Sequence, residues 1–502
     1  MIARFAPRAF TVTASTILSV VALGAQSPMT VEEALEEKDR ADRLFGDARY
    51  PEAYEAYHRA LEAGSPDVVT DARKGKIRAS LRLARFQIAR AEAEALKASA
   101  EDDVDALTLH ADALWGEGLF DEAEREYDAI VAAHPDAPRA RFGVARSLAS
   151  RGQNEGALTA AEHALTGAPK DPEILVLAGE LHERLHQFDD ATRRYQEYVA
   201  NLPARLRGSS EVASLKVAFL KSFRGRPPAA IDGDPAAVHT VPFTLKDRKI
   251  VMAGELNGRR IDFVLDTGAD RSAITRDTSN RTNVRPVVET MITGAGAPRL
   301  RRLSVARADT IRLGSMVVRN VPISILRENL PGTENWQNEK FSPMPLGLSV
   351  MIDYQRREVT FGRRIPEMPA DVTLPLRLHR IPMVRGLLND RHPAHFLVDT
   401  GGELVSINRD IAQQLEMRPT RLIPIRVFGV AGLDPTAFLL PGVNLGFHDQ
   451  IQMEKLGVAV LNLRAPSVLL GFQLGGILGY KFLGGYRVAL DLQRAEMRLQ
   501  RF

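Results

Sequence analysis

The sequence predicts a multidomain chain in which an all-α helical solenoid precedes an all-β region of two lobes. Three observations predict it. A 34-residue period runs through the N-terminal part, a Pro-, Gly- and Ala-rich stretch at 225–238 separates two compositions, and the remainder contains one residue pattern twice, 133 residues apart.

At 502 residues, 45% of them apolar, the chain has room for several cores. Its 66 basic and 63 acidic residues nearly cancel, leaving +3, so no basic tract calls for nucleic acid. There is no cysteine, which excludes disulfides, thiolate-held zinc or iron–sulfur sites, thiol catalysis and a lipidated cysteine. At the N-terminus Arg4 and Arg8 precede a largely apolar run from Ala9 to Ala25, with small residues at Ala22, Gly24 and Ala25 where a signal peptidase would cut. The expectation is a signal peptide at 1–25 and export to a periplasm or outside the cell, the competing reading being an uncleaved anchor. Seventeen residues containing Thr and Ser fall short of the ~20 needed to span a bilayer. No later segment is apolar enough, so no integral span is expected after cleavage.

The helical half is read from its period. Ala89, Ala123, Ala157 and Ala191 are spaced by 34 residues, as are Pro135, Pro169 and Pro203. Ala123, Tyr127 and Ile130 correspond to Ala191, Tyr195 and Tyr198, and a looser early copy holds Ala53, Tyr57 and Ala60. Small residues let two helices cross closely, and a proline without an N–H ends the second helix. This pattern resembles tetratricopeptide repeats, about five units over 38–204. The resemblance implies a curved solenoid over 30–225, with a capping helix near Ser209 to Phe223, that serves as a docking surface for a protein or as a rigid spacer or cover. Residues 226–238 form the expected linker, across which few contacts are expected.

Beyond the linker, short alternating apolar runs with Gly and Asn turns predict strands in two lobes, 239–365 and 371–502. Phe263-Val264-Leu265-Asp266-Thr267-Gly268-Ala269-Asp270 returns as Phe396-Leu397-Val398-Asp399-Thr400-Gly401-Gly402-Glu403. Gly294 and Gly296 correspond to Gly429 and Gly432, Leu346-Gly347 to Leu478-Gly479, and each copy ends in a strand-like segment, 350–361 and 488–499. Two D-T-G motifs in matched contexts resemble retropepsin-like and pepsin-like aspartic peptidases over essentially all of 240–502. The resemblance implies an all-β two-lobed aspartic-peptidase fold that opens with a hairpin, for which Asn257-Gly258 is a suitable turn.

It further implies that Asp266 and Asp399 are the catalytic pair. Thr267 and Thr400 would hydrogen-bond across the lobe junction, while Gly268 and Gly401 let the loops approach without a Cβ between them. The glycines at 294, 296, 429 and 432 would belong to flap or flap-like hairpins. Asp270 and Glu403 would either hold the ends of a bound peptide or serve as loop salt-bridge partners. Two carboxyls about 3 Å apart repel by roughly 5 kcal/mol at an effective dielectric of ~20, enough to hold one proton between a base and an acid. Ala269 and Gly402 offer no hydroxyl to either carboxylate, so raised carboxyl pKa values and a mildly acidic optimum are expected. One departure concerns the first lobe, where Gly347 to Asp353 spans six residues against twelve from Gly479 to Asp491. That shortening would weaken support for the Asp266 loop.

His182-Glu183-Arg184-Leu185-His186 matches the zinc-peptidase pentapeptide, but it falls inside the fifth repeat and no third ligand is identifiable. No metal and no cofactor are expected, and His392 and His395 have no triad spacing. The expected function is an exported aspartic endopeptidase acting on a peptide or protein substrate, with a possible protein partner on the repeats. The alternative is a secreted scaffold with degenerate lobes.

Overall fold

The computed structural model describes residues 29–502, except 64–65, 203–210, 224, 293–300, 327–328, 330–333, 418–422, 430–431 and 449. The expected signal segment, Pro203, Gly294 and Gly296 therefore lie outside the described residues.

Five helix pairs build the solenoid among the described residues: α1 Val31–Gly46 with α2 Tyr50–Ala60, α3 Pro66–Arg82 with α4 Phe86–Ser99, α5 Val104–Glu117 with α6 Phe120–Ala133, α7 Pro138–Ser150 with α8 Asn154–Gly167, and α9 Pro172–Arg184 with α10 Phe188–Asn201. A last helix, α11 Glu211–Ser222, packs on α10. Each periodic alanine lies on the second helix of its pair and is fully buried. Tyr57, Tyr127 and Tyr195 lie over Gly75, Gly143 and Gly179, where an added Cβ would stand 2.2, 2.3 and 2.7 Å from the rings. Any side chain there would push the helices apart. Helices α6 and α8 end two residues before Pro135 and Pro169. Asp103 and Asp171 cap α5 and α9 by accepting from backbone N–H groups of the first turn.

The zinc-type pentapeptide straddles a helix end. Helix α9 stops at Arg184, and His186 lies past it at φ +60°. His182 contacts Gln187 and Glu162, and Glu183 accepts from Lys216 and Tyr195. The one-turn spacing of imidazoles that the motif needs is not formed.

In the β region each lobe opens with a hairpin. The first lobe's opening hairpin, Thr244–Lys246 with Lys249–Leu256, turns at Asp247 and Arg248 (φ 46° and 63°), and the expected Asn257-Gly258 turn (φ 49° and 75°) closes the next one, Lys249–Leu256 with Arg259–Leu265, in the type I′ geometry that matches strand twist. The segments read as single final strands are hairpins instead, Ser349–Asp353 with Glu358–Gly362 and Tyr486–Asp491 with Glu496–Arg501. Their turns hold Arg357 and Ala495 at φ +58° and +51°, a left-handed step that residue type does not announce. The two hairpins pair with each other, Met351 opposite Ala489. Flanked by His239–Pro242 and Val372–Leu378, they form six antiparallel strands that join the lobes.

The solenoid is packed against the second lobe, contrary to the expectation of few contacts beyond the linker. Trp115, Phe120 and Tyr127 share one apolar cluster with Met383, Leu397, Phe472 and Leu474. Phe120 meets His395 and Phe472 at ring-centroid distances of 4.5 and 5.0 Å. Beside it the buried Arg377 donates to Asp121 at 2.5 Å, to Ser150 at 3.1 Å and to both oxygens of Glu124. His395 faces this cluster; burial, with Arg377 nearby, pushes its pKa down to about 3, so it is held neutral.

Removing one member of a buried, hydrogen-bonded ion pair costs about 3–5 kcal/mol because its partner is left buried and uncompensated. Arg377→Met is therefore expected to lower the unfolding free energy by about that amount, read in urea from the fluorescence of interface residue Trp115. A change within a few tenths of a kcal/mol would show that the interface contributes little.

Candidate active site

Asp266 and Asp399 each follow the inner strand of a lobe, Arg259–Leu265 and His392–Val398. A short parallel neighbour fixes each loop: the Asp266 N–H donates to Phe341 O at 3.0 Å, and the Asp399 N–H to Leu478 O at 3.0 Å. These bonds correct one sequence equivalence. Leu478 matches Phe341 and not Leu346, because Ile477 pairs with Leu397 and Ser406 as Lys340 pairs with Val264 and Ala273. The first lobe's counterpart of Ile477-Leu478-Gly479 is thus Lys340-Phe341-Ser342. Counted from Ser342, eleven residues lead to Asp353, against twelve from Gly479 to Asp491, so the first lobe is not shortened. A 3₁₀ turn at Met344–Leu346 stands where the second lobe has the helix Tyr480–Leu483.

The two threonines exchange hydrogen bonds across the junction. The Thr267 N–H donates to Thr400 Oγ1 at 3.1 Å and the Thr400 N–H to Thr267 Oγ1 at 3.0 Å. Each hydroxyl then donates to the strand beneath the other loop, Thr267 to Val398 O and Thr400 to Leu265 O, both at 2.8 Å. Both threonines are buried. Gly268 and Gly401 meet the opposite aspartates: an added Cβ would stand 2.5 Å from Asp399 Cγ or 2.9 Å from Asp266 Cγ. Their N–H groups donate to the aspartate of their own loop, Gly268 to Asp266 Oδ1 at 3.2 Å and Gly401 to Asp399 Oδ1 at 2.7 Å.

Asp266 is buried and Asp399 half-buried, and the two are electrostatically unequal. At Asp266 the upward effect of burial is outweighed by the Lys340 ammonium, whose Nζ donates to Oδ2 at 2.6 Å, with help from Lys249 and a hydrogen bond shared with Asp399. Asp266 is held below the usual carboxylate range. At Asp399 burial and the neighbouring Asp266 charge win, pushing its pKa up to about 7. The sequence-based expectation of two raised carboxyls thus holds for Asp399 and fails for Asp266, because a lysine supplies the donor that Ala269 lacks. Residue type alone could not find Lys340, since its matched position in the second lobe is an isoleucine.

The other expected residues divide. Glu403 is exposed beside Arg248 at 3.8 Å and Lys249 at 3.6 Å, a salt-bridge position across the lobes, and Asp270 is exposed on the cleft wall. Gly429 pairs with Gly432 in a short hairpin of Val427–Gly429 and Gly432–Asp434, of which Val427, Phe428 and Gly429 line the cleft. In the first lobe Pro286–Ile292 pairs with Arg301–Leu313. The cleft is a cavity of about 1770 Å³ walled by both lobes and also by the solenoid, including Trp115, Phe142, Arg146 and Arg184.

Residues 252–350 and 384–482 each match the aspartyl protease family model, and 108–172 match a tetratricopeptide repeat model. The chain thus joins a region similar to tetratricopeptide repeats to two tandem regions similar to aspartyl proteases. Among solved structures, a thermophilic TPR protein of Thermus thermophilus is similar at 19% identity, over 36% of this chain and 99% of that one, with a TM-score of 0.32. PilF of Pseudomonas aeruginosa is similar at 14%, over 39% and 87%, with a TM-score of 0.28. YrrB, a TPR protein with an unusual peptide-binding site, is similar at 16%, over 33% and 100%, with a TM-score of 0.23. No curated protein matches the chain. Among the described residues no helix is long and apolar enough to cross a membrane.

The two lobes depend on the threonine exchange for their junction. Thr400→Val leaves the Thr267 N–H and the Leu265 carbonyl unpaired in a buried site, at about 1–3 kcal/mol for each group. Urea unfolding is expected to show that loss for Thr400→Val and little of it for Thr400→Ser; equal stability of Val and Ser variants would mean the exchange does not hold the lobes.

Proposed function

We propose that this chain is an exported aspartic endopeptidase, in which Asp266 and Asp399 activate water for attack on a peptide bond and the solenoid docks the substrate or a partner protein. The observation that carries this reading is the meeting of the two carboxyls at a junction built by Thr267, Gly268, Thr400 and Gly401, one held below the ordinary range and the other above it. Hydrolysis needs a base for water and an acid for the carbonyl oxygen, and a pair split in this way supplies both at one pH. Support for docking comes from the cleft wall, since solenoid residues and both aspartates line one cavity. A chain reaching the dyad would touch both. The export reading rests on the N-terminal charge and apolar pattern.

Both aspartates are expected to be required in one chain. Asp266→Asn and Asp399→Asn should each reduce cleavage of an unbiased peptide library to background, a statine-type mimic should inhibit, and chelators should have no effect. Activity retained by a single variant would instead point to dimers of like lobes, and rescue only on mixing the two variants would show that the pair forms between chains. Binding of peptide by both variants with no cleavage by wild type would favour the scaffold alternative.

The pH dependence follows from the same pair. Activity should fall as pH rises through about 7, where Asp399 loses its proton, and in acid as Asp266 gains one. A profile of kcat/KM that is flat from pH 5 to 9 would contradict the acid role of the raised carboxyl.

A further inference from the structure

The strands beside the two aspartate loops differ in charge at one matched position. The strand beside the Asp399 loop presents Ile477, and the strand beside the Asp266 loop presents Lys340 in the same register. A buried carboxylate is costly unless paired, and the Nζ of the half-buried Lys340 lies 2.6 Å from Oδ2 of the buried Asp266, the contact of an ionised pair. The neighbouring charges do not offer Lys340 another partner. Glu339, the preceding residue, faces the opposite side of its strand and accepts from Thr275 and Thr278. Lys249 donates to Gly401 O and lies 3.6 Å from Glu403, which Arg248 also approaches. Asp270 is exposed. Asp399 is left as the carboxyl without a lysine contact of its own, hydrogen-bonded to Gly401 N–H and to Asp266.

We propose that Lys340 is a positioning residue of the site, a resident cation that keeps the negative charge on Asp266 and the shared proton on Asp399 and thereby assigns the base to the first lobe and the acid to the second. This rests on the peptidase reading and deepens it. In the forward step Asp266 takes a proton from water, the water oxygen bonds to the scissile carbonyl carbon, and Asp399 gives its proton to the carbonyl oxygen. In the second step the protonated Asp266 gives its proton to the amide nitrogen, the C–N bond breaks, and Asp399 recovers a proton from a hydroxyl of the tetrahedral intermediate. Acid and amine leave, and the dyad returns to its starting state. Lys340 moves no proton. It weakens Asp266 as a base while keeping it ionised to lower pH, so the working range extends into acid. Such an arrangement suits an enzyme whose hydroxyl donors, one on from each D-T-G, are replaced by Ala269 and Gly402.

The test uses the full chain with Lys340→Ile, the residue that the second lobe holds in the same register, and with Lys340→Arg and Lys340→Gln. Loss of a hydrogen-bonded cation from a carboxylate should move the acidic limb of kcat/KM upward by about one to two pH units in Lys340→Ile and Lys340→Gln. The basic limb should move less, because Asp399 feels the cation only at a distance. Lys340→Arg should restore the wild-type acidic limb, an outcome that a merely structural role for the side chain does not require. Should Lys340→Ile not fold, the neutral Lys340→Gln reads the same limb. Wild type that cleaves and needs both aspartates, with an acidic limb unmoved in the neutral variants, would overturn the Lys340 assignment alone. A wild type that cleaves no peptide would overturn the peptidase reading and the roles with it. Neutral variants faster than wild type at every pH with both limbs in place would show that Lys340 obstructs the site.

Discussion

The reciprocal exchange between Thr267 and Thr400 is the constraint on which the site depends. Two loops that each carry an aspartate repel when both are ionised, and burial raises the cost of that repulsion. Four hydrogen bonds of 2.8–3.1 Å, each crossing from one lobe to the other, hold them together. The contact is tight enough that a methyl at Gly268 or Gly401 would strike the opposing carboxyl. Below this junction the six-stranded sheet, with Met351 opposite Ala489, keeps the two lobes in one register. The loops can meet only because the strands that carry them are already aligned.

On this near-symmetric frame the charge distribution is asymmetric. Lys340 and Ile477 share a backbone position and differ in everything the carboxylates sense. An ammonium favours the charged form of the carboxylate it touches, and the charge so fixed disfavours a second one beside it. A lysine in one lobe where the other has an isoleucine thus helps separate two chemically identical groups, giving one low and one near 7. The solenoid adds a second asymmetry. It packs on the second lobe through Phe120 and Arg377, and its helix α11 reaches the first-lobe strand Pro286–Ile292, so the cleft has a helical wall.

Much of this was legible from residue order. The 34-residue alanine period marked the helix crossings because a crossing tolerates only small side chains, and those alanines are all fully buried. The duplicated D-T-G marked the junction, and Asn257-Gly258 the hairpin turn that leads into the Asp266 strand, because few residue types accept positive φ at two successive positions. Counting along the chain failed at the strand beside Asp266. The apolar-Gly pair at Leu346-Gly347 imitated the second lobe's Leu478-Gly479, whereas hydrogen bonding chose Phe341 and Ser342. Glycine is demanded at 479 by the Gly402 backbone, 2.6 Å from any added Cβ, while the first lobe accommodates Ser342, whose hydroxyl donates to Ala269 O at 2.5 Å. The motif that looked diagnostic was therefore not the one in contact.

What the sequence by itself determined is whatever repeats with a fixed local meaning: helix crossings, turns that need glycine or asparagine, and a pair of aspartates in matched loops. These follow from sterics and backbone geometry acting over a few residues. Only the tertiary structure decided which strand lies beside each aspartate, that Lys340 reaches Asp266 across 74 positions of chain, and that Arg377 enters a carboxylate pair on α6 more than 250 positions away. Those contacts depend on which surfaces meet once the lobes and the solenoid have packed. Coulomb energy is a function of distance in space and burial, and neither quantity is written in the order of residues.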